Sequence, residues 1–291
     1  MTFVHERLLY LKKICAHLRD VIKYEFFKRF GKVNFTSLCD FCFMRWAIPT
    51  GLIGANNAHN INSNLSKLSS DGYIIIEQVP VSIIAEIQNV VKQRLDTNDA
   101  CGDIDAHSLC MISQGLQREI LMTSEGESSC PLAKLARSRA YVELACNYLG
   151  LPKEKLIIDA VVDILNPLIK SSKGYDALSF HRDIDAYRFF KIFFYLKDCK
   201  EGEGHHEYLM NTHNNFPSTL VELRSYSQEE IIAAIPIAST IKMVGKSGFA
   251  FAENTIGFHR ATLPASEYRL MATIVYMEDR FKKIYPGHFL V

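Results

Sequence analysis

The sequence predicts a mainly β domain, a sandwich or barrel of short strands, behind a helical N-terminal extension. Three observations predict it. Six β-rich runs follow Gly150, at 156–165, 189–196, 206–211, 239–244, 247–252 and 268–277. Turn residues punctuate them, among them Gly202, Gly204, Gly245 and Gly248, and strands at such spacing belong to sandwiches and barrels. Before Gly150 the apolar residues recur instead at helical spacing.

The first element is a helix over 5–30, with Leu8, Leu11, Cys15, Leu18, Ile22 and Phe26 in one apolar stripe. Its other face carries Lys12, Lys13, Arg19, Lys23, Lys28 and Arg29. Residues 1–33 hold a charge of +5, which leaves −4 on the rest of a chain whose net charge is +1. Such a stripe packs onto the domain or onto a second copy of the chain, so a homo-oligomer is one expectation. The basic face also suits peripheral contact with an anionic membrane.

Residues 51–65, with Gly51, Gly54 and a run of Asn and Ser, read as a linker. The domain limits are therefore 1–64 for the extension and 65–291 for the β domain. Ser70-Asp71-Gly72 is a turn, Tyr73 to Ile76 a buried strand, and 81–95 an amphipathic helix. Residues 99–130 show no clear period. Residues 131–149 read as one helix, with Pro131 near its start and Gly150 past its end. One later helix interrupts the strands, capped by Ser227, with Glu229 and Glu230 in its first turn.

With 48% hydrophobic residues in 291, the chain can fill a sizeable core. Its near-zero charge argues against a broad nucleic-acid-binding surface. The most apolar early stretch, 41–55, is too short to span a membrane and is broken by Arg45 and Pro49. No secretory signal pattern opens the chain, so a reducing, cytoplasmic setting is expected for the eight cysteines. The Cys39–Cys42 pair lacks the further soft ligands of a zinc site.

The chemistry gathers around His181-Arg182-Asp183. On a strand, His181 and Asp183 share a face because side chains alternate. A later histidine, His259, completes a 2-His-1-carboxylate set, which leaves coordination positions open and is diagnostic of non-haem Fe(II) oxygenases. Arg269, ten residues on, adds a fork suited to a carboxylate. Asp185 is a competing carboxylate two residues beyond Asp183, read as a neighbour of the site or as exposed. Lys191 and Tyr195 share a strand face and are co-substrate candidates, with Asn166 a third. His206 and His213 are expected at the site rim. Glu253 and Asn254 read as loop-shaping.

These residues carry a resemblance. Ser69-Ser70-Asp71-Gly72-Tyr73-Ile74-Ile75-Ile76 resembles the opening strand of the phytanoyl-CoA dioxygenase superfamily, and Phe180-His181-Arg182-Asp183 matches its metal motif. Lys191 to Asp198 resembles the strand that follows. Gly204 to His213 occupies the place of its histidine-bearing hairpin, with Asn211-Thr212 where Gly-Ser is common. Phe258-His259-Arg260 with Arg269 matches its distal ligand and its 2-oxoglutarate arginine. The resemblance spans roughly residues 66–280 and implies a double-stranded β-helix, a jelly-roll with flanking helices. It implies Fe(II), with 2-oxoglutarate and O₂ as co-substrates, a hydroxylated small or conjugated metabolite as product, and release of succinate and CO₂. Two alternatives stand beside it: a non-redox metal-binding jelly-roll and a non-catalytic binding protein.

Overall fold

The structure is a computed structural model. It describes residues 58–96, 117–120, 130–167 and 176–278, apart from 184, 187, 221–224 and 236–238. The basic helix expected over 5–30, the Cys39–Cys42 pair and most of 99–130 lie outside the described residues.

Helices α1 (Ala58–Asp71) and α2 (Val81–Asp96) flank the first strand, β1 (Tyr73–Ile76). Strand β2 (Gln117–Ile120) precedes helices α3 (Pro131–Ala136) and α4 (Arg139–Leu149). There follow β3 (Leu156–Leu165), β4 (Phe189–Tyr195) and β5 (His206–Leu209), then helix α5 (Gln228–Ala234). The last strands are β6 (Thr240–Met243), β7 (Ala250–Glu253), β8 (His259–Ala261) and β9 (Arg269–Glu278).

The strands form two antiparallel sheets. The larger has the order β1-β7-β4-β9-β3-β2 and the smaller β6-β5-β8. Consecutive strands are rarely neighbours, and this crossing pattern of two facing sheets is that of a jelly-roll. The expected fold class is therefore the observed one.

Period-two alternation divides the large sheet into two faces. Phe190, Ile192 and Phe194 of β4, with Ala250 and Ala252 of β7 and Leu270, Ala272, Ile274 and Tyr276 of β9, pack beneath the helices. Leu68, Ile84, Ile87, Leu132 and Leu149 cover them from the helical side. The opposite parity, Phe193, Tyr195, Phe251 and Met271, meets Tyr208 and Met243 of the small sheet. The same parity aims Lys191, Glu253, Arg269 and Thr273 into the space between the sheets.

Three local expectations need correction. Where a linker was expected, α1 already runs from Ala58. Its Leu68 is fully buried and it packs on β1 and α4, so tertiary contact outweighs an Asn/Ser-rich composition. The helix expected over 131–149 is two helices, parted at Arg137-Ser138. Ser138 takes extended backbone there, as serine does in front of a helix, although its hydroxyl makes no capping bond. Strand β2 lies where no period is visible, paired in register with the inner half of β3. The Ser227 cap is present as a full capping box with Glu230, and Gly150 closes α4 in the left-handed conformation.

Candidate metal centre

His181 sits in an isolated antiparallel bridge with His259, each backbone N–H donating to the other's carbonyl at 3.0 Å. Two residues on, the Asp183 N–H donates to the Thr255 carbonyl at 2.8 Å. The backbone thus fastens the His-x-Asp segment to the strand that supplies the distal histidine. The imidazoles of His181 and His259 stand 4.3 Å apart between centroids.

The side chains converge. One ligand atom from each of His181, Asp183 and His259 lies within 4.8 Å of the others. His181 Nε2 is 3.7 Å from Asp183 Oδ1, and His259 Nε2 is 3.3 Å from Asp183 Oδ2. Donors about 2.0–2.2 Å from one ion lie at most about 4.4 Å apart, so little adjustment closes a site. The tautomers fit as well. His181 Nδ1 faces the Ser179 carbonyl at 2.9 Å and His259 Nδ1 faces the Gly257 carbonyl at 2.9 Å. A carbonyl only accepts, so each Nδ1 carries the proton and each Nε2 lone pair is left for a metal.

The electrostatics favour the same donor set. Burial, reinforced by the nearby His259, pulls the His181 pKa down to about 4, so its ring is neutral at pH 7. Burial alone would raise the Asp183 carboxyl. The Lys191 ammonium and the His259 ring outweigh it and hold that carboxyl well below its usual range. Burial would lower His259, but Asp183 reverses this and raises it. Without a metal, His259 is the group that shares a proton with the carboxylate.

Lys191, expected to meet a co-substrate, is engaged with carboxylates. Its Nζ is 2.7 Å from Asp183 Oδ2 and 2.7 Å from Asp185 Oδ2. The Tyr195 hydroxyl donates to the Met243 carbonyl at 2.8 Å and accepts from the His206 N–H at 3.0 Å, so it ties β4 to β5 and β6. Asn166 is buried just past the end of β3, whose Leu165 is the register partner of Arg269. Arg269 is buried at the start of β9. Its Nη1 donates to the Gly204 carbonyl at 3.1 Å, while its Nε has no partner.

The two rim histidines part ways. His213 turns to α1, with Nε2 facing the Ser69 carbonyl at 3.0 Å. His206 lies inside the barrel rather than at its rim, stacked on His259 with centroids 5.4 Å apart and planes at 18°. Its Nε2 meets Glu253 Oε2 at 2.8 Å. Glu253 has no exposure, its second oxygen has no partner, and burial pushes its pKa up to about 8. In sequence, Glu253 reads as loop-shaping. Its parity with Phe251 was the available signal, since both face inward from β7. Arg182 and Arg260 point away from the centre, Arg182 over Phe216 at 4.2 Å and Arg260 to Glu207 at 2.7 Å.

No family model matches the chain, and no curated protein matches it. Solved structures do. AviO1 from Streptomyces viridochromogenes Tue57 superposes with a TM-score of 0.51 at 12% identity, over 74% of this chain and 93% of its own. EvdO2 from Micromonospora carbonacea var. aurantiaca gives 0.50 at 16% identity, over 78% and 92%. The epimerase SnoN, in complex with Fe³⁺, alpha ketoglutarate and nogalamycin RO, gives 0.51 at 18% identity, over 75% and 84%. The chain shares their fold. SnoN is itself described as a non-heme alpha ketoglutarate dependent epimerase. At these identities the likeness is one of architecture, and function rests on the site.

Proposed function

We propose that this protein is a non-haem Fe(II)/2-oxoglutarate-dependent oxygenase that hydroxylates a small or conjugated metabolite. The observation that carries the reading is the convergence of the His181 and His259 Nε2 atoms on Asp183, with both Nδ1 protons tied to carbonyls. Three ligands on one side of an ion leave positions open, as this chemistry requires. The buried, partnerless Nε of Arg269 supplies the second argument. A guanidinium half satisfied inside a barrel is matched by the far carboxylate of a short dicarboxylate.

His181, Asp183 and His259 would hold the metal, and Arg269 would grip the distal carboxylate of 2-oxoglutarate. When bound, the iron and its co-substrate supply the oxidising chemistry, with succinate and CO₂ released. The chain's own residues do the rest. The carbonyls of Ser179 and Gly257 orient the two imidazoles. Phe193 and Phe251 pack against His206, which in turn stacks on His259 and backs the site from inside. Arg182 and Arg260 are turned away from the metal ligands, toward Phe216 and Glu207.

Anaerobic titration with Fe(II) and then 2-oxoglutarate tests the reading, through the metal-to-ligand absorption band and then succinate release in air. Absence of both the band and the succinate overturns it. Product analysis separates hydroxylation from epimerisation, the reaction that SnoN's description names. A hydroxylase adds one oxygen atom to its substrate, and an epimerase leaves the mass unchanged.

A further inference from the structure

Lys191 projects from β4 into the barrel interior, and its side chain is only 12% exposed. Its ammonium makes two short charge-assisted contacts, each 2.7 Å, to Asp183 Oδ2 and to Asp185 Oδ2. The two carboxylate oxygens are therefore no more than twice that distance apart. Asp183 is a metal-ligand candidate, while Asp185 is not part of the converging set. A second carboxylate thus sits within reach of the metal centre and is held to a lysine.

We propose that Lys191 is an interlock: it occupies one oxygen of Asp183 and restrains Asp185 from entering the metal's coordination shell. The inference rests on the metal-centre reading given above. With the ammonium held on Oδ2, Asp183 is biased toward meeting the metal through a single oxygen. Two carboxylates would neutralise a divalent ion completely, and Coulomb attraction draws Asp185 toward it once the lysine is gone. A 2-His-2-carboxylate shell fills a position that the open three-ligand set needs for its co-substrate. Lys191 is thus a positioning residue that acts through Asp183 and Asp185.

Four variants test this with Co(II) as the probe, whose visible spectrum reports coordination number. Lys191→Met removes the charge. Lys191→Gln is a fallback if the methionine variant fails to fold, and Lys191→Arg keeps the charge. In the parent, 2-oxoglutarate should perturb the Co(II) spectrum. In Lys191→Met, Co(II) should bind at least as tightly while 2-oxoglutarate binds more weakly by about tenfold or more, a difference of roughly 1.4 kcal/mol or above. Adding Asp185→Asn to Lys191→Met should restore 2-oxoglutarate binding to within about threefold of the parent, a difference under 1 kcal/mol. Lys191→Arg should stay near the parent.

The double variant is decisive. If Lys191 instead contacted 2-oxoglutarate itself, removing Asp185 would restore nothing, and the interlock would be overturned. Unchanged 2-oxoglutarate binding in Lys191→Met overturns it as well. A parent that binds no Co(II) removes the metal-centre reading and the interlock together. A parent that binds Co(II) and 2-oxoglutarate, with a lysine variant that does not differ, removes the interlock alone.

Discussion

Arg269 and the metal triad answer different questions at the scale of single residues. The triad is legible in sequence because two features survive without any structure: His-x-Asp spacing and a distal histidine among strands. Arg269 is legible through its spacing from His259. Lys191 is legible as sharing a strand face with Tyr195 but not as a partner of Asp183 and Asp185, because the sequence between the motif and β4 has no apolar period to read. Glu253 was missed because a buried carboxylate is counterintuitive until its partner His206 is seen. Arg269→Lys isolates the co-substrate contact. A lysine reaches the same volume but cannot present two parallel N–H groups to one carboxylate. The substitution should weaken 2-oxoglutarate binding by about 1.5–3 kcal/mol, the range for hydrogen bonds to charged groups. Fe(II) affinity should stay nearly intact. Titration of 2-oxoglutarate against the metal-loaded variant checks this, and equal affinity in variant and parent would remove the assigned role of Arg269.

At the scale of elements, strand parity explains most of what could be read. β1, β3, β4 and β9 fall close to their expected limits because each is an apolar run bounded by turns. β2 could not be read, because its four residues, Gln117-Arg118-Glu119-Ile120, are mostly polar and gain strand form by pairing with β3. The hairpins around the centre depend on tight backbone approach. Tyr208, fully buried on β5, donates its hydroxyl to the Asn254 carbonyl at 3.1 Å. A Cβ added at Gly257 would stand 2.2 Å from that hydroxyl oxygen, and one at Gly72 would stand 2.0 Å from it. Both glycines therefore close on one phenol. Gly257→Ala should force Tyr208 aside and cost about 1–3 kcal/mol, the usual penalty for overpacking. Because the Gly257 carbonyl also orients His259, metal affinity should fall with stability. Chemical denaturation and a Co(II) titration on the same protein check both. The pair β5–β8 carries a second, electrostatic element. Glu207 accepts from His205 at 3.3 Å and from Arg260 at 2.7 Å. The His205 contact first, and Arg260 with it, hold the Glu207 pKa down to about 2 against the opposing effect of burial. Between the ordinary glutamate value of 4.5 and about 2, the unfolded chain binds more protons than the folded one. Stability from this group is thus present above pH 4.5 and is lost as pH falls toward 2. Glu207→Gln should flatten the stability–pH curve in that window and cost about 1.5–3 kcal/mol at neutral pH. An unchanged acid limb in urea melts would contradict it.

For the molecule as a whole, the metal centre bridges parts that are far apart in sequence. His181 and Asp183 precede β4 of the large sheet, while His259 opens β8 of the small one. A bound ion would therefore pin the segment that leads into β4 to the strand that carries His259, and it would bind only the folded arrangement. Among the described residues no helix is long and apolar enough to cross a membrane. A ligand at a hundredfold its Kd stabilises by about 2.7 kcal/mol when it ignores the unfolded state. For a domain of this size, each kcal/mol raises Tm by roughly 2–4 °C. Mn(II), added without air to metal-free protein at pH 7, should therefore raise Tm by about 5–10 °C. The rise should shrink as pH falls, because the ligand atoms must give up protons before they can bind. His181 contributes little to that loss until pH approaches 4, since its ring is already neutral. The raised pKa of His259 makes it the principal competitor, with its proton leaving as the ion enters. Asp183→Ala should abolish the rise at every pH while leaving the metal-free protein folded. An equal rise in that variant would place the ion elsewhere, and no rise in the parent would leave the jelly-roll without its proposed metal.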